Sequence, residues 1–274
     1  MSDRLYVIKI GGNIIDDEEK LFLFLSSFAS TEGKKILVHG GGKLATKLAT
    51  QLGVEQKMID GRRITDTETL KIVTMVYAGY INKNIVAKLQ SHHCNAIGLC
   101  GADGNLIQSH KRQHPTIDYG FAGDVDAVNT ALLKSLLDHN ISIVVAPITH
   151  NKEGLLLNTN ADTIAQEVAQ AMSKFYQVNL IYLFEKAGVL MDVNDEDTVI
   201  STLTKQYYEA LKTPVQEKGS PTIFAGMIPK LDNAFIALSK GVQRVVIGKA
   251  EELKQLIDGR AGTNITLQHF EEKV

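Results

Sequence analysis

Residues 5–12 read LYVIKIGG, and residues 35–42 read KILVHGGG. Each is a short apolar run ended by glycine, and between them residues 16–30 carry helical spacing, so the chain opens as strand, helix, strand. After Gly40-Gly41-Gly42, Leu44, Leu48 and Leu52 recur at helical intervals and give a second strand-helix unit. Working outward, residues 67–92 predict a helix and 96–99 a strand. Ala102-Asp103-Gly104-Asn105 reads as a turn at which a hairpin on one sheet edge begins. Residues 128–139 predict a helix, 141–146 (ISIVVA) a strand with almost no polar face, and 160–172 a helix capped by Asn160. The second half continues with a strand at 178–184, helices at 203–211 and 227–240, a strand at 244–247 and a final helix near Glu251. Strands that are apolar on both sides need helices on both sides. The fold class is therefore α/β, a three-layer αβα sandwich around a mostly parallel sheet.

The length of 274 residues is a little under two units at about 150 residues per domain. With 44% apolar and 22% charged residues the composition excludes a disordered chain. The 29 basic and 31 acidic side chains, a net charge of -2, offer no excess to hold a nucleic-acid backbone. The longest apolar stretches, 21–25 and 141–147, fall far short of the roughly 18 residues that span a membrane. Cys94 and Cys100 are too close together to staple a domain, and the Met-Ser-Asp-Arg start lacks an apolar signal region. These features predict a cytoplasmic protein with reduced thiols and neither a nucleic-acid nor a membrane partner. The only internal boundary falls near residues 173–177, without a Pro/Ser-rich linker. Residues 1–175 and 176–274 are thus expected to form two lobes on one continuous sheet.

Ligands of such sheets bind outside the carboxyl ends of the strands, where both glycine loops lie, each just before a helix. Glycine lets backbone N–H groups approach an anion, and a helix start adds partial positive charge. Lys9, inside an apolar strand, is the least expected residue. Gly40, Gly42 and Ala45 also fit a relaxed dinucleotide pattern, with Asp60 near the place of a ribose-binding acid, so an NAD-binding oxidoreductase is the alternative of another class. A Walker loop is excluded, because the Gly-Lys pairs at Gly33, Gly42 and Gly248 are never followed by Ser or Thr. Asn158-Thr159-Asn160-Ala161-Asp162 runs from a strand end into a helix, where Asn160 serves as an ordinary cap and Asp162 as a first-turn carboxylate. In Gly226-Met227-Ile228-Pro229-Lys230, Pro229 suits a first turn. His110 and His114 stand four apart in a polar stretch with no third ligand, so no metal site is expected, and both cysteines read as small buried side chains.

Taken in order, Lys9-Ile10-Gly11-Gly12, His39-Gly40-Gly41-Gly42, Gly61-Arg62-Arg63-Ile64-Thr65, Gly98-Leu99-Cys100-Gly101-Ala102-Asp103-Gly104, Asn158-Thr159-Asn160-Ala161-Asp162, Gly226-Met227-Ile228-Pro229-Lys230 and Gly262-Thr263 resemble the amino acid kinase family. The match covers nearly the whole chain and is closest to the branch that acts on N-acylated glutamate. The resemblance implies transfer of phosphate from ATP, with Mg2+, to a side-chain carboxylate in arginine biosynthesis. It implies that Lys9 and Lys230 clamp the phosphoryl oxygens, that Asp162 holds the lysines, and that Gly11, Gly12 and Gly41 offer N–H groups. Arg63, Gly42 and Asn158 would bind the substrate in lobe 1–175, which also dimerises. ATP would lie on lobe 176–274 against Glu185, Lys186, Gly188, Thr222, Ile223 and Phe224.

The chain departs from the family pattern at Phe184 and Glu185, where relatives carry a Thr/Ser-Asp pair, which predicts altered adenosine contacts. It reads Pro147-Ile148-Thr149-His150 where relatives often read Pro-Ile-Gly, which predicts a reshaped substrate pocket. Arg62 adds a second basic residue beside Arg63. Arg62 or His150 is thus expected to favour an acyl group with its own carboxylate, such as succinyl. Arginine-inhibited hexamers of the family carry an N-terminal helix before the first strand, and here that strand begins at Leu5, so a homodimer without arginine feedback is expected.

Overall fold

The computed structural model describes residues 4–59, 62–192, 195–212 and 227–267. In chain order the described strands are β1 (Arg4–Ile10), β2 (Lys34–His39), β3 (Met58–Ile59), β4 (Arg62–Arg63), β5 (Ala96–Leu99), β6 (Ile107–Lys111) and β7 (Ala122–Val128). They continue as β8 (Ser142–Val145), β9 (Ile148–His150), β10 (Leu156–Thr159), β11 (Gln177–Phe184), β12 (Thr202–Thr204), β13 (Arg244–Lys249) and β14 (Thr263–Thr266). The α-helices are α1 (Gly12–Ile15), α2 (Glu18–Ser30), α3 (Gly42–Gln51), α4 (Thr67–Thr74), α5 (Asn82–Ser91), α6 (Thr130–Asp138), α7 (Ala161–Met172), α8 (Lys205–Lys212), α9 (Ile228–Ser239) and α10 (Leu253–Ile257).

Eight strands form one sheet in the order β12-β14-β13-β11-β1-β2-β8-β5, parallel throughout except for the β13/β14 pair. Strand alternation sets the two faces. Leu5 and Val7 of β1 share a core with Leu180 and Tyr182 of β11, Ile164 and Val168 of α7, and Leu231 and Phe235 of α9. Tyr6, Ile8 and Ile10 point the other way, into a core with Leu21, Phe24 and Phe28 of α2, Leu89 of α5 and Leu253 of α10. Each fully buried Phe or Leu contributes about 1.5–3 kcal/mol, so both helical layers are fixed by apolar burial rather than by propensity. Lys9 belongs by alternation to the face of α7 and α9, and its register partner on β11 is Tyr182. That is how a lysine from the first strand meets side chains from the second half.

Local signals explain the helix starts. Asp17 accepts from Lys20 N at 3.0 Å to open α2, and Asn160 Oδ1 accepts from the backbone N–H of Asp162 at 2.8 Å and of Thr163 at 3.2 Å to open α7. Pro229 stands in the first turn of α9.

The structure differs from the sequence reading in several places, among them Val128, which ends β7 instead of opening a helix. The run at 67–92 is helical but contains a π-helical segment, Met75–Ile81, between α4 and α5. Leu203 belongs to β12, not to the helix that follows it. The turn at 102–105 leads β5 into β6, and β6, β7, β9 and β10 close a small barrel instead of a hairpin at a sheet edge. The sequence carries no clear signal for β14, three residues of which run antiparallel to β13. Strands of three or four residues show too little alternation to be read locally. Among the described residues no helix is long and apolar enough to cross a membrane.

Candidate active site

The carboxyl ends of β1 and β2 deliver both glycine loops to one rim. Gly11 caps α1, and a Cβ placed on it would face the Lys9 ammonium, 4.0 Å from Nζ. Gly41 caps α3 with φ +149, and a Cβ on it would run into Ile81 Cδ1 and lie 3.1 Å from Tyr77 Cδ1. Only glycine fits beneath the π-helical turn that carries Tyr77 and Ile81. The first-turn N–H groups of α1 and α3 have no intrahelical acceptors and so present donors at this rim. Lys43 donates to Asn13 Oδ1 and ties the two loops together.

Behind the second loop lies His39, fully buried. Its Nδ1 is 2.8 Å from the Gly40 carbonyl and its Nε2 is 3.2 Å from Nδ2 of Asn82, which also donates to Val144 O at 3.1 Å. This network assigns the proton to Nδ1, with Nε2 accepting. Burial pushes the imidazole pKa down to about 4, against the opposing effect of the Gly40 carbonyl, so His39 is neutral at physiological pH. The sequence marked it only as a strand end.

The charged centre joins three distant elements. Lys9 Nζ of β1 lies 2.7 Å from Asp162 Oδ1 as an ion pair, and Lys230 Nζ of α9 donates to Asp162 Oδ2 at 3.0 Å. Tyr182 OH donates to the Asp162 carbonyl at 3.2 Å. Burial alone would raise the Asp162 pKa, yet Lys9 and then Lys230 outweigh it and hold the carboxyl below its usual range. Phe184 at the end of β11 lies under both lysines, with its ring centre 5.2 Å from Lys9 Nζ and 4.9 Å from Lys230 Nζ. A carboxylate between two ammonium groups leaves a net positive charge, suited to an anionic group arriving from solvent.

Beside this centre a cavity of about 200 Å³ is lined by Gly41, Gly42, Arg63, Asn158, Tyr77 and Arg112, with Arg62 and Met58 on its wall. Arg63 is buried, and its Nη2 donates to Gly42 O at 3.0 Å and Thr46 Oγ1 at 2.9 Å while Nη1 donates to Gln56 Oε1. Asn158 Nδ2 donates to Thr65 Oγ1 at 3.0 Å, and that hydroxyl donates to Arg63 O at 3.2 Å, which links the two sides of the cavity. Arg112 is held by Asp124 through Nε, at 3.1 and 3.2 Å to the two carboxylate oxygens. Tyr77, Arg112, Thr46 and Gln56 had no local signal in the sequence. Tyr77 and Arg112 reach the cavity through tertiary packing, and Thr46 and Gln56 touch the site through their bonds to Arg63.

The remaining positions are placed as follows. Glu185 is exposed just beyond β11, Lys186 pairs with Glu196 at 3.4 Å, and Lys249 pairs with the same carboxylate. Gly188 is buried, and a Cβ there would press on Thr263 Oγ1 at 2.6 Å, so its glycine serves packing. Thr222, Ile223, Phe224, Gly226, Asp60 and Gly61 lie outside the described residues. Thr149 does not line the cavity, contrary to expectation. Its hydroxyl turns into the small barrel, 2.8 Å from Thr159 Oγ1, because β9 directs alternate residues inward. His150 likewise turns away, with Nε2 2.9 Å from Asn105 Oδ1. His110 pairs with Asp126 at 2.6 Å and His114 packs edge-on against Tyr119. Cys94 is buried and Cys100 half-buried, both as free thiols.

Residues 4–249 match the model of the amino acid kinase family. The chain is 57% identical over 256 residues to an acetylglutamate kinase of Cytophaga hutchinsonii, covering 93% of this chain and 95% of that one. It is 53% identical to an acetylglutamate kinase of Parabacteroides distasonis, covering 92% and 97%. Among solved structures, N-acetylglutamate synthase from Neisseria gonorrhoeae, complexed with coenzyme A and N-acetyl-glutamate, superposes with TM-score 0.82 at 22% identity. That match covers 98% of this chain and 61% of the longer synthase chain. Carbamate kinase from Giardia lamblia bound to AMP-PNP gives TM-score 0.70 at 14% identity, covering 97% and 99%. The two structural likenesses speak for the fold. The oxidoreductase alternative is overturned, since relatives of this identity are kinases. Gly40 and Gly42 of that loop line a cavity that Arg62, Arg63 and Arg112 also line.

Proposed function

The chain belongs to the amino acid kinase family, and from that premise we propose that it acts as an acetylglutamate kinase. It transfers the γ-phosphoryl group of ATP to the side-chain carboxylate of N-acetylglutamate, giving N-acetylglutamyl 5-phosphate and ADP, a step of arginine biosynthesis. The observation that carries this reading is the convergence of Lys9 and Lys230 on Asp162 beside the Arg63–Asn158 cavity, in a chain 57% identical to a kinase of that name.

The acceptor carboxylate is ionised at neutral pH, so no general base is required. Catalysis then consists of alignment and neutralisation of charge on the phosphoryl group. Lys9 and Lys230 take phosphoryl oxygens, Asp162 holds them converging, and Gly11, Gly12 and Gly41 contribute N–H donors. Arg63 meets the substrate α-carboxylate next to Gly42. Because Asn158 Nδ2 is engaged by Thr65, its Oδ1 faces the acylamide N–H. Lobe 1–175 holds the substrate and lobe 176–274 the nucleotide, near Glu185, Lys186, Gly188 and the segment 222–224. Among the described residues there is no group of three metal-ligating side chains, so a magnesium ion would be held chiefly by the nucleotide phosphates. Its chemistry there is to offset charge on the β- and γ-phosphates. A homodimer completes the reading. Met75 and Tyr80, five residues apart on the π-helical segment and both exposed, supply an apolar contact, and a monomer in sedimentation would overturn this part.

A second reading, an N-acylglutamate whose acyl group ends in a carboxylate, is favoured by Arg62 and Arg112, which line the same cavity as Arg63. One assay decides between them: ADP release with Mg-ATP and N-acetylglutamate, N-succinylglutamate, glutamate or aspartate, trapping acyl phosphate with hydroxylamine. Turnover on N-acetylglutamate with little on the others is expected. Preference for N-succinylglutamate, lost in Arg62→Leu or Arg112→Leu, would replace the first reading with the second. No turnover by folded, ATP-binding protein would overturn both.

A further inference from the structure

Phe184 ends β11 on the face of Tyr182, and the two rings stack with centroids 6.3 Å apart and planes 14° from parallel. The ring thus emerges at the rim, where Lys9 and Lys230 approach it at 5.2 and 4.9 Å while both also meet Asp162. We propose that Phe184 is a positioning residue whose ring face holds both phosphoryl-binding lysines together while leaving their charge available to the nucleotide. The inference rests on the kinase reading of those lysines.

Two ammonium groups gathered at one point repel each other. Asp162 offsets that repulsion, but each N–H it takes is withheld from a phosphoryl oxygen, and a second carboxylate would bring the cluster to zero net charge. An aromatic face attracts a cation through its quadrupole, carries no formal charge and accepts no charge-assisted hydrogen bond. It therefore restrains both lysines without competing for the donors that a γ-phosphoryl group needs. Its apolar surface also keeps water from one side of the ammonium groups, which strengthens their attraction to an arriving anion. Tyr182 backs the ring from below and is itself fixed to the Asp162 carbonyl, so the floor and the carboxylate share one support.

Fluorination of the ring drains its face of electron density with little change of shape, which separates this role from simple packing. The test introduces phenylalanine carrying one, two and three fluorines at position 184 of the full chain. It reads kcat at saturating Mg-ATP and N-acetylglutamate, Mg-ATP affinity by calorimetry, and the thermal midpoint. Expected is a stepwise fall in kcat reaching about tenfold, a parallel weakening of Mg-ATP binding, and a fall of only a few degrees in the midpoint. Phe184→Tyr should retain activity within about twofold, and Phe184→Leu should lose about tenfold. A flat series in both kcat and affinity overturns the proposal, and it decides the matter even if Phe184→Leu fails to fold. A wild-type protein that binds Mg-ATP but turns over no substrate overturns the kinase reading instead, and the affinity series still judges Phe184.

Discussion

Asp162 lies between Lys9 and Lys230, and Glu196 lies between Lys186 and Lys249. Both carboxyls are held below their ordinary range by their lysines, Glu196 chiefly by its bond to Lys249. In the first cluster the side chains of Lys9, Asp162 and Lys230 are 9%, 10% and 26% exposed. In the second, those of Lys186, Glu196 and Lys249 are 41%, 45% and 28% exposed. The same three charges thus have different physical meaning. Exposed charges are screened by water and salt and cost little to separate, whereas the buried set has given up hydration and depends on its own geometry. Such a centre gains from an anionic ligand as the exposed one does not.

The largest difference between the clusters should appear with Asp162→Asn, which keeps shape and removes charge. Turnover should fall at least about a hundredfold, and the protein should lose roughly 3 kcal/mol in a denaturant titration, because two lysines are left without their partner. Near wild-type values for both would erase the contrast. An acid titration sharpens it. The depressed pKa of Asp162 means its stabilisation is present above the unfolded value near pH 4 and is lost only as pH falls further, through the folded value. His39 acts higher. The unfolded chain takes up its proton near pH 6.5 and the fold resists until about 4, so stability should decline across that window by roughly 3 kcal/mol. His39→Gln should flatten the upper limb and leave the lower one, read by thermal melts from pH 8 downward. The smallest effect belongs to Glu196→Gln, for which a shift at the limit of detection, abolished by added salt, is expected. A large, salt-insensitive loss would place the exposed cluster with the buried one.

The layers are legible because β1, β2, β8 and β11 are apolar on both sides and their connecting helices keep a clear period. Lys9 stands out as a charge inside such a strand, and Asn160 as a cap in the right place. The meeting of Lys9 with Asp162 and Lys230 comes through family resemblance, since residues 153 and 221 positions away leave no local trace. The small barrel escapes because β9 and β10 span only three and four residues, while β6 and β7 carry polar side chains such as His110, Asp124 and Asp126. Thr149 reads as a pocket residue, yet its strand turns it inward, and Gly41 needs its glycine because of Ile81, forty residues later. Phe184 is visible as a departure from a pattern. Only its distance to two ammonium groups gives the departure a physical meaning.

The central strand also has consequences for how the protein comes into being. β1 pairs with β2 on one side, but its other neighbour is β11, with Leu5 opposite Val178. At synthesis rates of about 5–20 residues per second, the first strand waits roughly ten to thirty-five seconds for that partner to leave the ribosome. Meanwhile one edge of a strand whose residues from Leu5 to Ile10 are all buried in the finished fold has nothing to pair with. The nascent chain therefore carries an unpaired strand edge over most of its synthesis, and its folding rate should be governed by closing that long loop rather than by forming any helix.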